Sequence, residues 1–250
     1  MLKIIIHGLG RLGCSVCRLA SERNEFEVVA GIKKTPVTET DFNFPVFTEI
    51  AECDTFADIM IDCSVASAVK SSIFYALDKN IPLVICTTSF DDDTECLINT
   101  VSQEIPIFQS ANMSIGIHLM SRLSQMAAKS LSDINFDIEI IEKHHNGKLD
   151  APSGTANMLA NGIMDILDNK ELIHDRSNRR QKRNVGEIGM HAIRGGSIVG
   201  EHIVLFAGEG ETLEITHNAT SREIYAAGIL RAAKFVMAKP AGLYGMNDLL

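Results

Sequence analysis

The chain has 250 residues, 46% of them hydrophobic, and a formal net charge of −9 at pH 7. This length and composition allow a substantial buried core, and we expect two domains of modest size. The acidic balance argues against general affinity for nucleic acid, which usually requires a basic excess. No apolar stretch reaches the roughly 18 residues that span a bilayer, and the first residues lack the features of a secretory signal, so we expect a cytoplasmic protein.

All six cysteines lie in the first 100 residues. They form no pattern of paired Cys and His ligands of the kind that binds zinc, and no disulfide framework is indicated. Cys14 and Cys17 are separated by two residues but fall in a predicted helix, where small apolar side chains pack well, so a core role is favoured over a redox role. We therefore expect neither a metal nor disulfides.

Short β-rich runs alternate with helical segments in the first hundred residues, a pattern typical of a parallel sheet flanked by helices. The predicted strands are Lys3–His7, Glu27–Ile32, Ile59–Cys63, Pro82–Cys86 and Pro106–Gln109. Helical segments follow Arg11, Val65 and Asp91. This order predicts a Rossmann-type, doubly wound α/β fold.

The pattern changes after a helix that begins near Ile115, because the later strands are separated by glycine-rich turns. These strands are Phe136–Glu142, Met190–Arg194, Val199–Phe206 and Thr212–His217. One helix, from about Pro152 to Leu167, interrupts them. They predict a smaller α+β domain with a mostly antiparallel sheet.

A last helix from Ser221 to Lys239 is expected to return to the first domain, since consecutive elements favour adjacent packing. We therefore predict a discontinuous dinucleotide-binding domain of residues 1–113 and 222–250. Residues 114–221 are predicted to form a domain for substrate binding and oligomerisation.

The one charge run has five basic residues among Ser, Asn and Gln between Arg176 and Arg183. A solvated loop is the favoured interpretation, and a nucleic-acid patch is a weaker alternative.

The segment Gly8-Leu9-Gly10-Arg11-Leu12-Gly13 follows the first predicted strand and opens a helix. Its glycines permit a tight turn, and its backbone N–H groups can bind a pyrophosphate. A plain glycine turn is the alternative, but the position between strand and helix favours a dinucleotide site. We therefore predict NADPH, NADH or both as cofactor.

The second predicted strand ends in Lys33-Lys34, where many NAD-binding folds have an acidic residue that accepts hydrogen bonds from the ribose 2′-hydroxyl. Two ammonium groups at this place would attract a 2′-phosphate. Exposed lysines at a strand end that bind no ligand are the alternative.

Two further loops follow predicted strands: Cys86-Thr87-Thr88-Ser89 after the fourth and Ser110-Ala111-Asn112-Met113 after the fifth. Ligands gather at the carboxyl ends of strands in open α/β sheets. Both loops are therefore candidates to contact the nicotinamide half of a cofactor.

The segment EKHHNGKLDAPSGTA combines two histidines, a lysine and an aspartate with a Pro-Ser-Gly-Thr turn. His144, His145 and Lys148 can supply a proton donor and positive charge, and a helix beginning at Ser153 to Thr155 offers N–H groups to an anion. A metal site is disfavoured because lysine is a poor ligand at neutral pH and no HExxH-type spacing occurs. Helix capping by Ser153 or Asp150 is the structural alternative, but it accounts for neither the histidines nor the lysine.

Residues Glu142–Thr155 match, at every fixed position, the signature E-x-H-H-x-x-K-x-D-A-P-S-G-T of the 4-hydroxy-tetrahydrodipicolinate reductases, so the chain resembles that family. The resemblance spans almost the whole chain. It includes the GRLG segment, the Thr87-Thr88 pair, and the segments Ser110–His118, Ile193–His202 and Ile215–Arg222.

The resemblance implies NAD(P)H-dependent reduction of 4-hydroxy-tetrahydrodipicolinate to tetrahydrodipicolinate with loss of water, in lysine and diaminopimelate biosynthesis. It implies that His144 is the active-site proton donor and acceptor and that Lys148 is a proton donor. His145, Gly154 and Thr155 are implied as substrate contacts, together with the N–H of Ser153 in the same turn. Homotetramers are also implied.

The family's phosphate loop aligns with residues 7–12 when matched on Arg11, which implies cofactor contacts from that segment and from the loops at residues 86–88 and 110–113. His7 then stands where a glycine is usual. Cys86 and Ser89 replace glycines that usually flank the Thr pair, and Met113 stands where many members have a ring-stacking Phe.

Two functions of other classes are alternatives to this one: a catalytically silent nucleotide sensor and another dehydrogenase of the same two-domain plan. A sensor is expected to have lost His144 or Lys148, and another dehydrogenase is expected to lack the Asp-Ala-Pro-Ser-Gly-Thr turn. Turnover by the purified protein distinguishes the three.

Overall fold

The computed structural model describes residues 1–35, 42–174, 176–177 and 179–250. The chain divides into two units, one of Met1–Ile115 with Glu223–Leu250 and the other of Gly116–Arg222. The expected borders, after residues 113 and 221, lie within two residues of these. The roles assigned to the two parts remain predictions.

The first unit contains a seven-stranded sheet in the order β12-β6-β5-β4-β1-β2-β3. Its strands are β1 (Leu2–His7), β2 (Phe26–Ile32), β3 (Val46–Phe47), β4 (Ile59–Asp62), β5 (Leu83–Ile85), β6 (Pro106–Gln109) and β12 (Gly242–Tyr244). Every neighbouring pair is parallel. The carboxyl ends of the strands therefore lie at one edge of the sheet, where such folds bind nucleotides.

Helices cover both faces of this sheet, because its strands are apolar on both sides. The helices of the first unit are α1 (Arg11–Ser21), α2 (Val69–Lys79), α3 (Asp92–Val101), α6 (Glu223–Val236) and α7 (Met246–Leu249). Successive residues of β1 alternate between two cores: Ile4 and Ile6 belong to one cluster and Ile5 to the other. The arrangement is the predicted doubly wound fold.

The second unit contains a five-stranded sheet in the order β11-β10-β7-β9-β8. Its elements are α4 (Ile115–Leu131), β7 (Asp137–His144), α5 (Gly154–Met164), β8 (Glu171–Ile173), β9 (Glu187–Arg194), β10 (Gly200–Ala207) and β11 (Thr212–Ala219). β10 pairs antiparallel with β7 and β11, whereas β9 pairs parallel with β7 and β8. The sheet is thus mixed, and the expectation that it would be mostly antiparallel is corrected.

Alternation along β7 brings two polar residues to the buried face of this sheet. Ile138, Ile140, Glu142 and His144 are buried, and the residues between them are half-buried. Side chains two apart on a strand share one face. Glu142 and His144 therefore extend an apolar face at the end of β7.

The predicted strands of the first unit match observed ones to within one residue at each end. Three observed strands were not predicted: β3, β8 and β12. Each has only two or three residues, which is too short to show a period of two.

The described residues of the charge run lie outside helices and strands, and Arg180 and Lys182 are exposed, as expected of a solvated loop, but three of its arginines contact carboxylates. Arg176 and Arg179 contact the carboxylate of Glu187, whose side chain is 1% exposed. Arg183 Nη1 lies 2.5 Å from Glu139 Oε1, and its Nη2 donates to the Ile138 carbonyl. Three arginines of the run thus bind carboxylates or carbonyls of the sheet, and the buried carboxylate of Glu187 requires such charged partners.

None of the helices within the described ranges is long and apolar enough to cross a lipid bilayer.

Candidate active site

The glycine-rich turn after β1 has a geometry that side chains would prevent. Gly8 has φ +97°, and a Cβ there would lie 2.5 Å from the Cys63 carbonyl oxygen. A Cβ on Gly13 would lie 2.1 Å from the Gly8 carbonyl oxygen, whereas a Cβ on Gly10 would meet nothing within 4 Å. Gly8 and Gly13 thus maintain the turn, and Gly10 leaves open space in front of α1.

Alanine substitutions in this turn are expected to separate stability from cofactor binding. Gly13→Ala should lower the free energy of unfolding by about 1 to 3 kcal/mol, because the added methyl overlaps fixed backbone. Gly10→Ala should leave the unfolding free energy unchanged and weaken NAD(P)H binding, because its methyl occupies the open space. Thermal denaturation and cofactor titration of both variants measure this, and native stability in Gly13→Ala would contradict it.

A cavity of about 550 Å³ opens beside this turn. Gly8, Leu9 and Gly10 line it together with Lys33 and Lys34 from the end of β2. Glu49 lines the same cavity and adds a negative charge. The open glycine turn, the N terminus of α1 and two lysines fit the phosphate groups of a dinucleotide.

His7 also lines this cavity, but its ring is held by buried protein groups. Nδ1 lies 2.7 Å from Ser72 Oγ, and the Ser72 hydroxyl donates to the Asp62 carboxylate. His7 Nδ1 is therefore the donor in its own bond. Burial lowers the pKa of His7 against the opposing effects of Asp62 and Glu49, so the neutral ring predominates near pH 7.

Asp62 joins three segments at the carboxyl ends of the strands. It is completely buried and accepts hydrogen bonds from Ser64, Ser72 and Thr87. Thr87 belongs to the predicted nicotinamide loop, so Asp62 fixes that loop against β4 and α2. Ser89, where a glycine was expected, has φ +63°, a backbone conformation that favours glycine.

The remaining residues that are predicted to bind the cofactor differ in their exposure to solvent. Arg11, Thr88 and Ala111 are exposed, while Leu12, Cys86, Ser110 and Asn112 are half-buried. Ser110 Oγ donates to the Asn112 carbonyl, and Asn112 Oδ1 accepts from Ser114 N, so this loop is ordered before α4. Met113 is 3% exposed and its side chain packs in a core cluster, and its contact with the nicotinamide stays a prediction.

His144 is held at the end of β7 in the second unit. Its Nδ1 lies 2.6 Å from Glu142 Oε2, and its ring packs edge-on against His202 at a centroid distance of 5.2 Å. A Cβ on Gly200 would lie 3.1 Å from His144 Nε2, so the ring passes over a residue that has no side chain. His144 is 8% exposed and has a fixed environment.

Lys148 and His145 lie in the loop after β7. Lys148 Nζ contacts Asp150 Oδ1 at 2.7 Å, and the Lys148 hydrogen bond lowers the pKa of Asp150. His145 Nε2 lies 3.3 Å from Arg222 Nη2, so a second cation is next to this histidine. Three side chains that can carry positive charge therefore lie in this region: His145 and Lys148 on the loop after β7, and Arg222 next to His145.

Ser153 begins α5, as the capping alternative predicts. Its Oγ accepts from Ala156 N at 3.2 Å and lies 3.2 Å from His202 Nε2. Burial, with a contribution from His144, lowers the pKa of His202 to about 4, so this ring is neutral at physiological pH. Ser153 therefore caps the helix, and the N terminus that it caps is of the kind that binds anions.

The two halves of the chain match two family models. Residues 2–113 match the dihydrodipicolinate reductase N-terminus, and residues 116–250 match the dihydrodipicolinate reductase C-terminus. The chain belongs to the dihydrodipicolinate reductase family.

Similar reductases are known from several bacteria. The 4-hydroxy-tetrahydrodipicolinate reductase of Caldanaerobacter subterraneus subsp. tengcongensis is 46% identical over 252 residues, covering 100% of this chain and 98% of that protein. The Clostridium tetani enzyme of the same name is also 46% identical, covering 100% and 97%. A dipicolinate-bound dihydrodipicolinate reductase from Paenisporosarcina sp. TG-14 has a TM-score of 0.84 at 25% identity, with 100% of both chains covered.

These findings confirm the predicted family, fold class and activity. The chain is an NAD(P)H-dependent oxidoreductase that reduces 4-hydroxy-tetrahydrodipicolinate. Among the residues that the structure describes, no cluster of three or more His, Cys, Asp or Glu side chains could hold a metal ion.

Three residues that contact the predicted site residues are not among the candidates from the sequence. Arg194, His202 and Arg222 lie in segments that carry the family resemblance, but the sequence alone does not assign any of them a contact with substrate or cofactor. For His202 a signal existed, since it shares the buried face of β10 with Val204 and Phe206. A polar side chain on an apolar face requires a partner and so indicates a site.

Proposed function

We propose that His144 and Lys148 perform the proton chemistry of this reduction and that the second unit binds the substrate. The observation that carries the proposal is the position of His144, with Nδ1 2.6 Å from Glu142 Oε2 at the end of β7, beside the loop that holds Lys148 and the N terminus of α5. A fixed proton donor, an ammonium group and an anion site thus occur within one short stretch of chain.

The reaction fixes what the protein must provide. A dihydronicotinamide held by the first unit would supply the hydride for C4 of the substrate, and the 4-hydroxyl would leave as water once it has gained a proton. A side chain with an exchangeable proton is therefore required, and Lys148 and His144 are the candidates. The net change is the consumption of NAD(P)H and one proton and the release of NAD(P)⁺ and water.

The substrate carries two carboxylates, which defines the second task. We assign one of them to His145, the N–H groups at Ser153 to Thr155, and Lys148. Opposite charge and N–H donors at a helix N terminus favour a carboxylate over a neutral group. Arg222, 3.3 Å from His145, adds positive charge at the same place.

We assign the dinucleotide to the first unit, at the cavity beside Gly8 to Gly10. The residues fit this group, because a Cβ on Gly10 would meet nothing within 4 Å and α1 begins there without a side-chain cap. Lys33 and Lys34 would hold a 2′-phosphate, and the chain is expected to accept NADPH at least as well as NADH.

Pyridine-2,6-dicarboxylate is expected to inhibit competitively against the substrate. It is a planar dianion of similar shape, and dipicolinate is bound in the related Paenisporosarcina structure. Steady-state kinetics and a crystal soak measure this. Arg222→Met should weaken the inhibitor through lost charge, whereas Arg231→Met, on α6 in the first unit, should leave its affinity unchanged. Inhibitor density remote from His145 and Thr155 would contradict the assigned pocket.

A coupled assay tests the activity directly. Freshly synthesised 4-hydroxy-tetrahydrodipicolinate is supplied to the purified protein, and NAD(P)H absorbance is followed. Turnover with this substrate also separates the reductase from a silent nucleotide sensor and from another dehydrogenase. We further propose a cytoplasmic homotetramer that acts in lysine and diaminopimelate biosynthesis, and light scattering of the purified protein tests its oligomeric state.

A further inference from the structure

We infer that Glu142 is a positioning residue: its buried carboxylate fixes the His144 ring with the proton on Nδ1, so that Nε2 is the atom that exchanges protons in the reaction. The inference rests on the proposed role of His144. It assigns a function to a carboxylate that contacts His144 and has no assigned contact with substrate or cofactor.

The contacts of Glu142 are unusually complete for a buried carboxylate. The side chain is 0% exposed. Its Oε1 accepts from Arg194 Nη2 at 2.6 Å and from Ser153 N at 3.0 Å. Its Oε2 accepts from Arg194 Nη1 at 2.8 Å and lies 2.6 Å from His144 Nδ1. Arginine thus binds both oxygens, and each oxygen has one further donor.

The direction of the bond to His144 follows from the charge of Glu142. Burial favours the protonated acid, but hydrogen bonds from Arg194, His144 and Ser153 hold the pKa of Glu142 below its usual value. An ionised carboxylate only accepts hydrogen bonds. Nδ1 must therefore carry a proton, which leaves Nε2 as the nitrogen that gains and loses one.

The same carboxylate also fixes the ring relative to the anion site. It binds the backbone N–H of Ser153, the cap of α5, while Arg194 Nη2 also donates to the Asp150 carbonyl at 2.6 Å. The pair formed by Glu142 and Arg194 therefore connects β7 and β9 to the loop between Lys148 and Ser153. The ion pair of Glu142 and Arg194 therefore keeps a constant distance between the His144 ring and the site assigned to the substrate carboxylate.

The other groups around the ring do not perform this task. His202 on β10 packs edge-on against the ring and is neutral, with its pKa lowered to about 4. Gly200 on β10 provides room beside Nε2. Lys148 in the adjoining loop contacts Asp150. Among these groups, Glu142 is the one that bonds to a ring nitrogen.

Glu142→Gln tests the inference, with Glu139→Gln as its matched control. Glu139 lies on the opposite face of β7 and also contacts an arginine and a histidine, Arg183 at 2.5 Å and His191 at 2.7 Å. Glu142→Gln should lower kcat by on the order of 10²-fold, because a misoriented proton donor loses much of the rate enhancement that a positioned one provides. The KM for NAD(P)H should be unchanged. Glu142→Asp should recover part of the loss, and Glu139→Gln should retain kcat.

Nitrogen-15 NMR of the wild-type enzyme tests the tautomer even if Glu142→Gln fails to fold. The His144 ring signals are those missing from His144→Ala, and the neutral ring should show a protonated Nδ1 and a bare Nε2. A neutral His144 ring that carries its proton on Nε2 would overturn the inference. Equal losses of kcat in Glu142→Gln and Glu139→Gln would also overturn it. Failure of the proposed function would instead appear as full turnover in His144→Ala.

Discussion

Replacing both His144 and Lys148 with Ala should leave a folded protein that binds NAD(P)H and turns over its substrate slower by orders of magnitude. Each single change should reduce kcat by roughly 10²- to 10⁴-fold, the usual contribution of a positioned proton donor. Lys148→Ala should also raise KM, because it removes a cation from the carboxylate site. The double variant should lose less than the product of the single losses, since the two residues act in one step.

Matched substitutions in the same unit control for stability. Lys143 follows Glu142 on β7 and contacts Glu201 Oε1 at 2.6 Å, while His191 on β9 contacts Glu139. Like Lys148 and His144, these two residues are a lysine and a histidine that each contact one carboxylate, but they lie outside the assigned site. Replacing both with Ala should retain turnover. Near-normal turnover in the His144 and Lys148 double variant would refute the assignment, and NAD(P)H titration verifies that the cofactor still binds.

The first unit was the more predictable from sequence, for a physical reason. Strands buried on both faces appear as short, continuous apolar runs, such as Ile4, Ile5 and Ile6, and glycine marks the turn into α1. β3 and β12 were missed because two or three residues cannot show a period. Their place at the two sheet edges depends on tertiary contacts with β2 and β6.

Strand pairing in the second unit was less predictable. β7 and β9 are parallel neighbours although more than 40 residues separate them. Parallel pairing requires a crossover connection. The connection between β7 and β9 contains α5, the short strand β8 and the charge run. The arginines bind Glu187 and Glu139, so a segment that resembles a polar loop in sequence is held by partly buried ion pairs.

The candidate site was predicted in part. The motif from Glu142 to Thr155 is contiguous, so its histidines and lysine could be recognised directly. Arg194 and His202 lie about 50 to 60 residues further along, and their contacts with Glu142 and Ser153 arise only because β9 and β10 both pair with β7. The alternation that places Glu142 on the buried face with His144 was present in the sequence and indicates their contact.

The second large expected effect concerns the preference for NADPH over NADH, which depends on the two lysines at the end of β2. Lys33 is half-buried, Lys34 is exposed, and both line the cavity beside the glycine turn. The backbone of Lys33 is anchored by its N–H to the Phe47 carbonyl at 2.9 Å, so the register of the two lysines is fixed by β3. NADPH is therefore expected to be used at least as well as NADH.

The size of the preference follows from charge. A 2′-phosphate carries close to two negative charges, and each ammonium contact in partial contact with solvent contributes about 0.5 to 1.5 kcal/mol. Two contacts correspond to roughly 5- to 150-fold at low salt, and added salt should reduce the ratio. Glu49 lines the same cavity and opposes this attraction, so Glu49→Gln should increase the preference for NADPH.

Comparing kcat/KM for NADPH and NADH in the parent and in Lys33→Glu with Lys34→Ala measures the contribution of the lysines. The variant should shift the ratio toward NADH, because the charge that attracts the 2′-phosphate is removed and a carboxylate can accept from the ribose hydroxyls. Lys79→Ala on α2, whose ammonium contacts Asp78 at 3.0 Å, is the matched control and should keep the parent ratio. An unchanged ratio in the Lys33 and Lys34 variant would mean that these lysines do not contact the 2′ position.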